Sequence, residues 1–179
     1  MIPAFTTAGM LPVGRFQCTA EEFEQAFVGA EATHAQSERR QDLWAQFQGT
    51  VAALKSLGCS IPAAFIGGSF TTEKPEPDDI DVTFLIERAS VDDDVIGQID
   101  TMASAISSLT NVQALVIYWC AVSDWSPNAV ESDLRYIMLR GKWDDWWQRD
   151  VAKTDRVTFT RDQAFPKRGY LEVIIDDYL

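Results

Sequence analysis

The sequence predicts a mixed α/β or α+β domain, and we adopt α+β on three observations. Two short apolar runs, Ala63–Gly67 and residues 80–86, are joined by a polar, proline-containing connection, which reads as an antiparallel strand pair. Long stretches with apolar residues at helical spacing flank that pair. A third run, residues 112–122, is nearly continuous in apolar residues and is expected as a central strand.

The elements follow in order. Thr19 with Glu22 three residues on forms a capping box, and Phe23 and Phe27 share a helical face, so a short helix is expected over 19–28. Leu43, Trp44, Phe47, Val51, Leu54 and Leu57 form the stripe of a longer helix over about 37–57, with Gly58 as its terminator. Ser90 and Asp93 open a helix to about Leu109 that is apolar at Ile96, Ile99, Ala103 and Ile106. Ser126-Pro127 starts a further helix, interrupted at Gly141 and ending near 150. Residues 156–160 and 169–176 read as a C-terminal β-hairpin around Pro166 and Gly169.

Composition bounds the function. At 179 residues, 46% hydrophobic and with six tryptophans, the chain reads as one domain over 1–179. Its apolar runs are too short and too often broken by charge for a transmembrane helix. The start Met-Ile-Pro-Ala-Phe-Thr lacks the basic and apolar regions of a signal peptide. Cys18, Cys59 and Cys120 form no Cys-x-x-Cys pair, which suits a reducing compartment, so a cytoplasmic location is expected. His34 is the sole histidine, which argues against zinc and against histidine-dependent hydrolases. The net charge of −12 disfavours non-specific nucleic-acid binding, and without a spanning segment no membrane partner is expected. Residues 1–134 carry all of that excess, with six basic and nineteen acidic side chains, and the remaining residues are slightly basic.

The candidate site is Phe65-Ile66-Gly67-Gly68-Ser69-Phe70 followed by Asp79-Ile80-Asp81. Alternate residues of a strand share a face, so Asp79 and Asp81 point the same way. Two like charges held together call for a cation, and Mg²⁺ takes one or two carboxylates and completes its shell with water and phosphates. Asp79 and Asp81 are therefore candidate metal ligands and catalytic residues. Gly67, Gly68 and Ser69 are candidates for cradling a phosphate through backbone N–H groups. Lys74 is placed either to touch a phosphate or simply to face solvent. Trp143, Trp146 and Trp147, with Tyr136 and Leu139, either stack a base or form a core stripe. Arg39-Arg40 and Lys167-Arg168 are further candidate phosphate contacts.

The turn-then-Asp-x-Asp pattern resembles the signature of the nucleotidyltransferase superfamily that includes DNA polymerase beta and the minimal nucleotidyltransferases. Gly68-Ser69-Phe70-Thr71-Thr72, Lys74-Pro75 and Pro77 narrow the likeness to a bacterial minimal nucleotidyltransferase-like branch. Ile2-Pro3, Leu11-Pro12-Val13-Gly14, Glu21-Glu22-Phe23, Arg161-Asp162 and Pro166-Lys167-Arg168-Gly169 extend it toward both ends. The resemblance implies a single nucleotidyltransferase-like domain with a mixed central sheet flanked by helices. It implies Mg²⁺ (or Mn²⁺) held by Asp79 and Asp81, and a nucleoside triphosphate at Gly67, Gly68, Ser69 and Lys74. It also implies transfer of a nucleoside monophosphate to a hydroxyl, with a protein partner or acceptor, as in toxin–antitoxin or defence pairs.

One departure stands out. The superfamily usually places a third acid on a later central strand. The corresponding run, Val112-Gln113-Ala114-Leu115-Val116-Ile117-Tyr118-Trp119, has none, and Gln113 cannot take a proton. Asp124 and Glu172 are the available substitutes. Two functions stay open at this point: a working transferase, or a degenerate nucleotide- or protein-binding module.

Overall fold

The computed structural model describes residues 1–29, 32, 37–120, 131–150 and 161–178. Among them are four α-helices and one mixed five-stranded sheet, an α+β architecture. The strands are β1 (Gly14–Thr19), β2 (Ala63–Gly67), β3 (Ile80–Glu87), β4 (Val112–Trp119) and β5 (Gly169–Ile174). The helices are α1 (Ala20–Phe27), α2 (Glu38–Lys55), α3 (Asp93–Leu109) and α4 (Glu131–Trp147). Spatial order is β1-β5-β2-β3-β4. The outer pairs, β1 with β5 and β3 with β4, are parallel, and the two inner pairs are antiparallel.

Period-two alternation sends each strand's side chains to opposite faces. Ile66, Val82, Phe84, Ala114 and Leu171 go to the face packed against Phe23, Leu43, Trp44, Phe47 and Ile99 of α1, α2 and α3. Aromatic rings stack through this layer, with Phe23 on Trp44, Trp44 on Phe47 and Phe47 on Phe84 at centroid separations of 4.8–5.9 Å. Phe65, Leu85, Ile117 and Tyr170 go to the other face, under Tyr136 and Trp147 of α4.

Local chemistry explains the boundaries. Thr19 and Glu22 form the reciprocal capping box expected for α1. Gly58, at φ +83, follows α2 in the left-handed region that glycine adopts without strain. β2 and β3 form the expected antiparallel pair, with Gly67 opposite Asp81.

Four expectations need correction. Among the described strands β4 lies at the edge, not the centre; its run is apolar because α3 covers one face and α4 the other. The C-terminal hairpin is replaced: both edges of β5 are taken, by β1 and β2, while residues 156–160 lie outside the described residues. α3 is capped by Asp92, whose carboxylate accepts from the Val95 amide, whereas Ser90 bridges Glu87 and the Ser60 amide. α4 runs through Gly141 without a break. Residues 126–127 and Asp124 lie outside the described residues. No described helix is long and apolar enough to cross a membrane.

Candidate acidic cleft beside the glycine turn

The site forms where β2 ends and β3 begins, on the α4 face of the sheet. After Gly67 the chain makes one 3₁₀ turn, Gly68–Thr71. Gly68 has φ +67, and a Cβ built there would lie 2.0 Å from Asp81 Oδ2. That contact is far inside van der Waals range, so the turn and the carboxylate meet only because the residue is glycine. The turn's carbonyls are engaged inward: Arg168 and Thr71 donate to Gly68 O, and Thr72 donates to Ser69 O. In a trans peptide C=O and N–H point in opposite directions, so the Ser69 amide faces away from Arg168.

Gly67 has a different reason. A Cβ there would strike the Trp147 ring at 2.8 Å, so its small size admits that tryptophan rather than a phosphate. Trp147 is buried, and its Nε1 donates to Thr83 Oγ1 at 3.1 Å.

Asp79 precedes β3 by one residue rather than lying on it, yet Asp79 and Asp81 line the same two cavities. One, of about 550 Å³, adds Gln113, Leu115, Lys142 and the three tryptophans of α4. The other, of about 380 Å³, adds Gly68, Ser69, Lys74, Arg149 and Arg168. The register sets Gln113 directly beside Asp81 on the neighbouring strand. Glu172 is no substitute acid. It is two strands away and two residues further along, more than about 10 Å by strand spacing, with its carboxylate held by the Tyr178 hydroxyl and by Arg15 at 3.4 Å.

The basic pairs divide their roles. Arg40 is buried and donates to the carbonyls of Phe70, Thr72 and Lys74 at 2.7–2.8 Å, so it clamps the loop joining the turn to the carboxylates. Burial pushes its pKa down to about 10, opposed by Glu76, and it remains a cation at neutral pH. Arg39 holds the far end of the loop through the carbonyls of Pro77 and Asp78. Lys74 pairs with Asp78 at 3.0 Å across an exposed surface. Arg168 is buried beneath the turn; burial lowers its pKa, and Asp150 and Asp81 oppose that shift. Among the described residues its Nε has no hydrogen-bond partner.

Charge in the smaller cavity nearly balances: Lys74, Arg149 and Arg168 face Asp78, Asp79, Asp81 and Asp150. A phosphate entering alone would meet four carboxylates. With a divalent cation on the Asp pair the balance turns favourable to an anion. No group of three or more His, Cys, Asp or Glu with metal-holding geometry occurs among the described residues. Two carboxylates facing an open cavity suit Mg²⁺, which draws its remaining ligands from water and phosphate.

Sheet and cleft together define an α+β protein whose acidic pair lies between a glycine turn and one tryptophan-bearing helix. The chain belongs to DUF6932, a family of unknown function, whose profile matches residues 3–174. No curated protein and no solved structure matches it.

Proposed function

We propose that this chain is a nucleotidyltransferase-like protein that binds a Mg²⁺-bound nucleoside triphosphate in this cleft and transfers its nucleoside monophosphate to a hydroxyl acceptor. The observation that carries the reading is the apposition of Gly68 and Asp81. The two halves of the sequence signature, nine intervening residues apart, meet at one point on one face. In this reading Asp79 and Asp81 hold the ion, with Mn²⁺ as an alternative. The Ser69 amide and hydroxyl, with Gly68, take phosphate oxygens, and Lys74 supplies a mobile positive charge at the rim. When bound, the ion screens the phosphate charges and stabilises charge on the attacking and leaving oxygens.

The chain's own residues supply position. Arg40 and Arg168 hold the turn and its following loop against the carboxylates, which fixes the phosphate cradle before ligand arrives. The acceptor oxygen would form a bond to the α-phosphorus as the bond to the bridging oxygen breaks, releasing pyrophosphate. Gln113 can orient that hydroxyl but cannot take its proton, which passes to solvent.

Gln113 also favours a second reading, nucleotide binding without turnover, in which the cleft serves as a ligand-gated interaction module for a protein partner. One experiment separates the two. Titration calorimetry with the four triphosphates, with and without Mg²⁺, is run alongside label transfer from α-³²P nucleotides. Metal-dependent binding lost in Asp81→Asn supports the site. Turnover that rises in Gln113→Glu supports the transferase, whereas binding with no transfer in either protein supports the module. Absence of nucleotide binding under every condition rejects both.

A further inference from the structure

The carboxylate pair has a cavity on either side, and the two differ in chemistry. Beside the glycine turn stand Lys74, Arg149 and Arg168. The larger cavity adds Leu115 and Trp143, with Gln113 at its exposed edge, and its one cation is Lys142; Trp146 and Trp147 line both cavities. From this division we infer that the larger cavity is a stacking subsite for a flat aromatic ring. The inference rests on the nucleotide reading and adds to it which end of the ligand lies where.

The tryptophans form a rigid platform. Trp147 is fixed by Gly67 beneath it and by its bond to Thr83. Trp143 stacks on Trp147 at 5.9 Å and 26°, so the half-buried ring inherits that fixed position. The ammonium of the exposed Lys142 lies 4.6 Å from the Trp143 centroid. A cation resting on the ring marks a π-face within reach of the cavity. A ligand ring taking that place buries apolar area against Trp143 and Leu115 and frees Lys142 to turn toward phosphate. A polyphosphate placed here would press on Leu115 and Trp143 with Lys142 as its one cation, whereas the glycine turn and three cations line the other cavity. At about 550 Å³ the cavity is of small-ligand size. Gln113 offers both a donor and an acceptor to the ring edge or its sugar.

Two sources supply such a ring: the base of the triphosphate, or an aromatic group on the acceptor. Titration calorimetry with Mg²⁺-tripolyphosphate, Mg²⁺-ATP and adenosine, on wild type, Trp143→Leu and Trp143→Phe, tests the subsite and tells them apart. If the nucleotide's base occupies it, Mg²⁺-ATP binds tighter than Mg²⁺-tripolyphosphate by about 5- to 150-fold, the usual range for one stacked base. Trp143→Leu then removes that margin and leaves tripolyphosphate binding unchanged, which also shows the variant is folded; Trp143→Phe keeps most of it. If an acceptor ring occupies it, adenosine binds to protein already saturated with Mg²⁺-ATP, and Trp143→Leu weakens that binding. The inference is overturned if Mg²⁺-ATP and tripolyphosphate bind equally while adenosine does not bind, or if Trp143→Leu changes nothing; the nucleotide reading survives either result. Adenosine binding without any phosphate binding leaves the stacking subsite and removes the nucleotide reading. Silence from all three ligands removes both.

Discussion

The two faces of the sheet are built from the same five strands and differ in almost everything else. The face under α1, α2 and α3 is a continuous apolar layer of stacked phenylalanine and tryptophan rings. The face under α4 mixes aromatic rings with Asp81, Thr83, Gln113, Glu172 and Arg15, and it opens into the cleft. The larger share of the buried core lies on the first. The second can then carry like charges and cavities that a single-sided domain could not tolerate. Stability and chemistry are separated by the thickness of one sheet.

Substitutions on the two sides should divide accordingly. The largest effect belongs to the apolar face: Phe84→Ala should cost about 3–5 kcal/mol in urea unfolding, the usual range for a buried aromatic truncated to alanine. Nucleotide affinity of the surviving folded fraction should stay within twofold. Arg40→Met comes next, because it strips donors from three loop carbonyls at once. A loss of about 2–4 kcal/mol is expected from unsatisfied buried groups, together with at least tenfold weaker Mg²⁺-nucleotide binding. Should the affinity hold while stability falls, the loop does not shape the cleft.

Gly68→Ala sits on the boundary between the faces. The left-handed backbone alone costs about 1–2 kcal/mol for a residue with a Cβ, and the Asp81 carboxylate must move, so binding should vanish. Asp81→Asn should do the reverse of Phe84→Ala. Relief of repulsion from Asp79 and loss of attraction to Arg168 oppose each other, so the unfolding midpoint should barely move while metal-dependent binding disappears. A large drop in stability would mean that Asp81 serves the fold rather than the ligand. Alkaline pH provides a smaller contrast. Burial, helped by Glu22, pushes the Cys18 thiol up to about 12 on the apolar face. Because the folded value lies above the unfolded one, this contribution is full below about pH 8.5 and fades as pH rises toward the folded value. Unfolding midpoints measured between pH 7 and 10 should therefore fall less steeply in Cys18→Ala.

How much of this was legible beforehand also divides by face. β2, β3 and α2 could be read because their apolar patterns are long and their ends are marked by glycine or a change of period. The carboxylate pair and the turn were legible as types, and the register of β4 supplied the neighbour, Gln113. β1 was missed: Phe16 and Cys18 do alternate with Arg15 and Gln17, but four residues of alternation next to a strong capping box carry little weight. Arg40 had a signal that was passed over. It falls on the same stripe as Leu43, Trp44 and Phe47, and a charge on an apolar stripe is a buried one. Arg168 left no comparable trace, since its partners, Gly68 and Thr71, are about a hundred positions earlier. Trp147 needed the structure for the same reason; only the fold shows that Gly67 lies beneath it.

The position of β5 also bears on how the protein is made. It enters the sheet between β1 and β2, although both precede it by a hundred residues or more. Until residues 168–174 have emerged from the ribosome, no other described strand stands between β1 and β2, and the buried arginine under the glycine turn is missing as well. Synthesis proceeds at about 5–20 residues per second, so the nascent chain spends several seconds with strand edges unpaired and the cleft unformed. A ribosome that stalls before residue 169 therefore leaves behind an incomplete sheet with exposed edges, a substrate for chaperones and proteases.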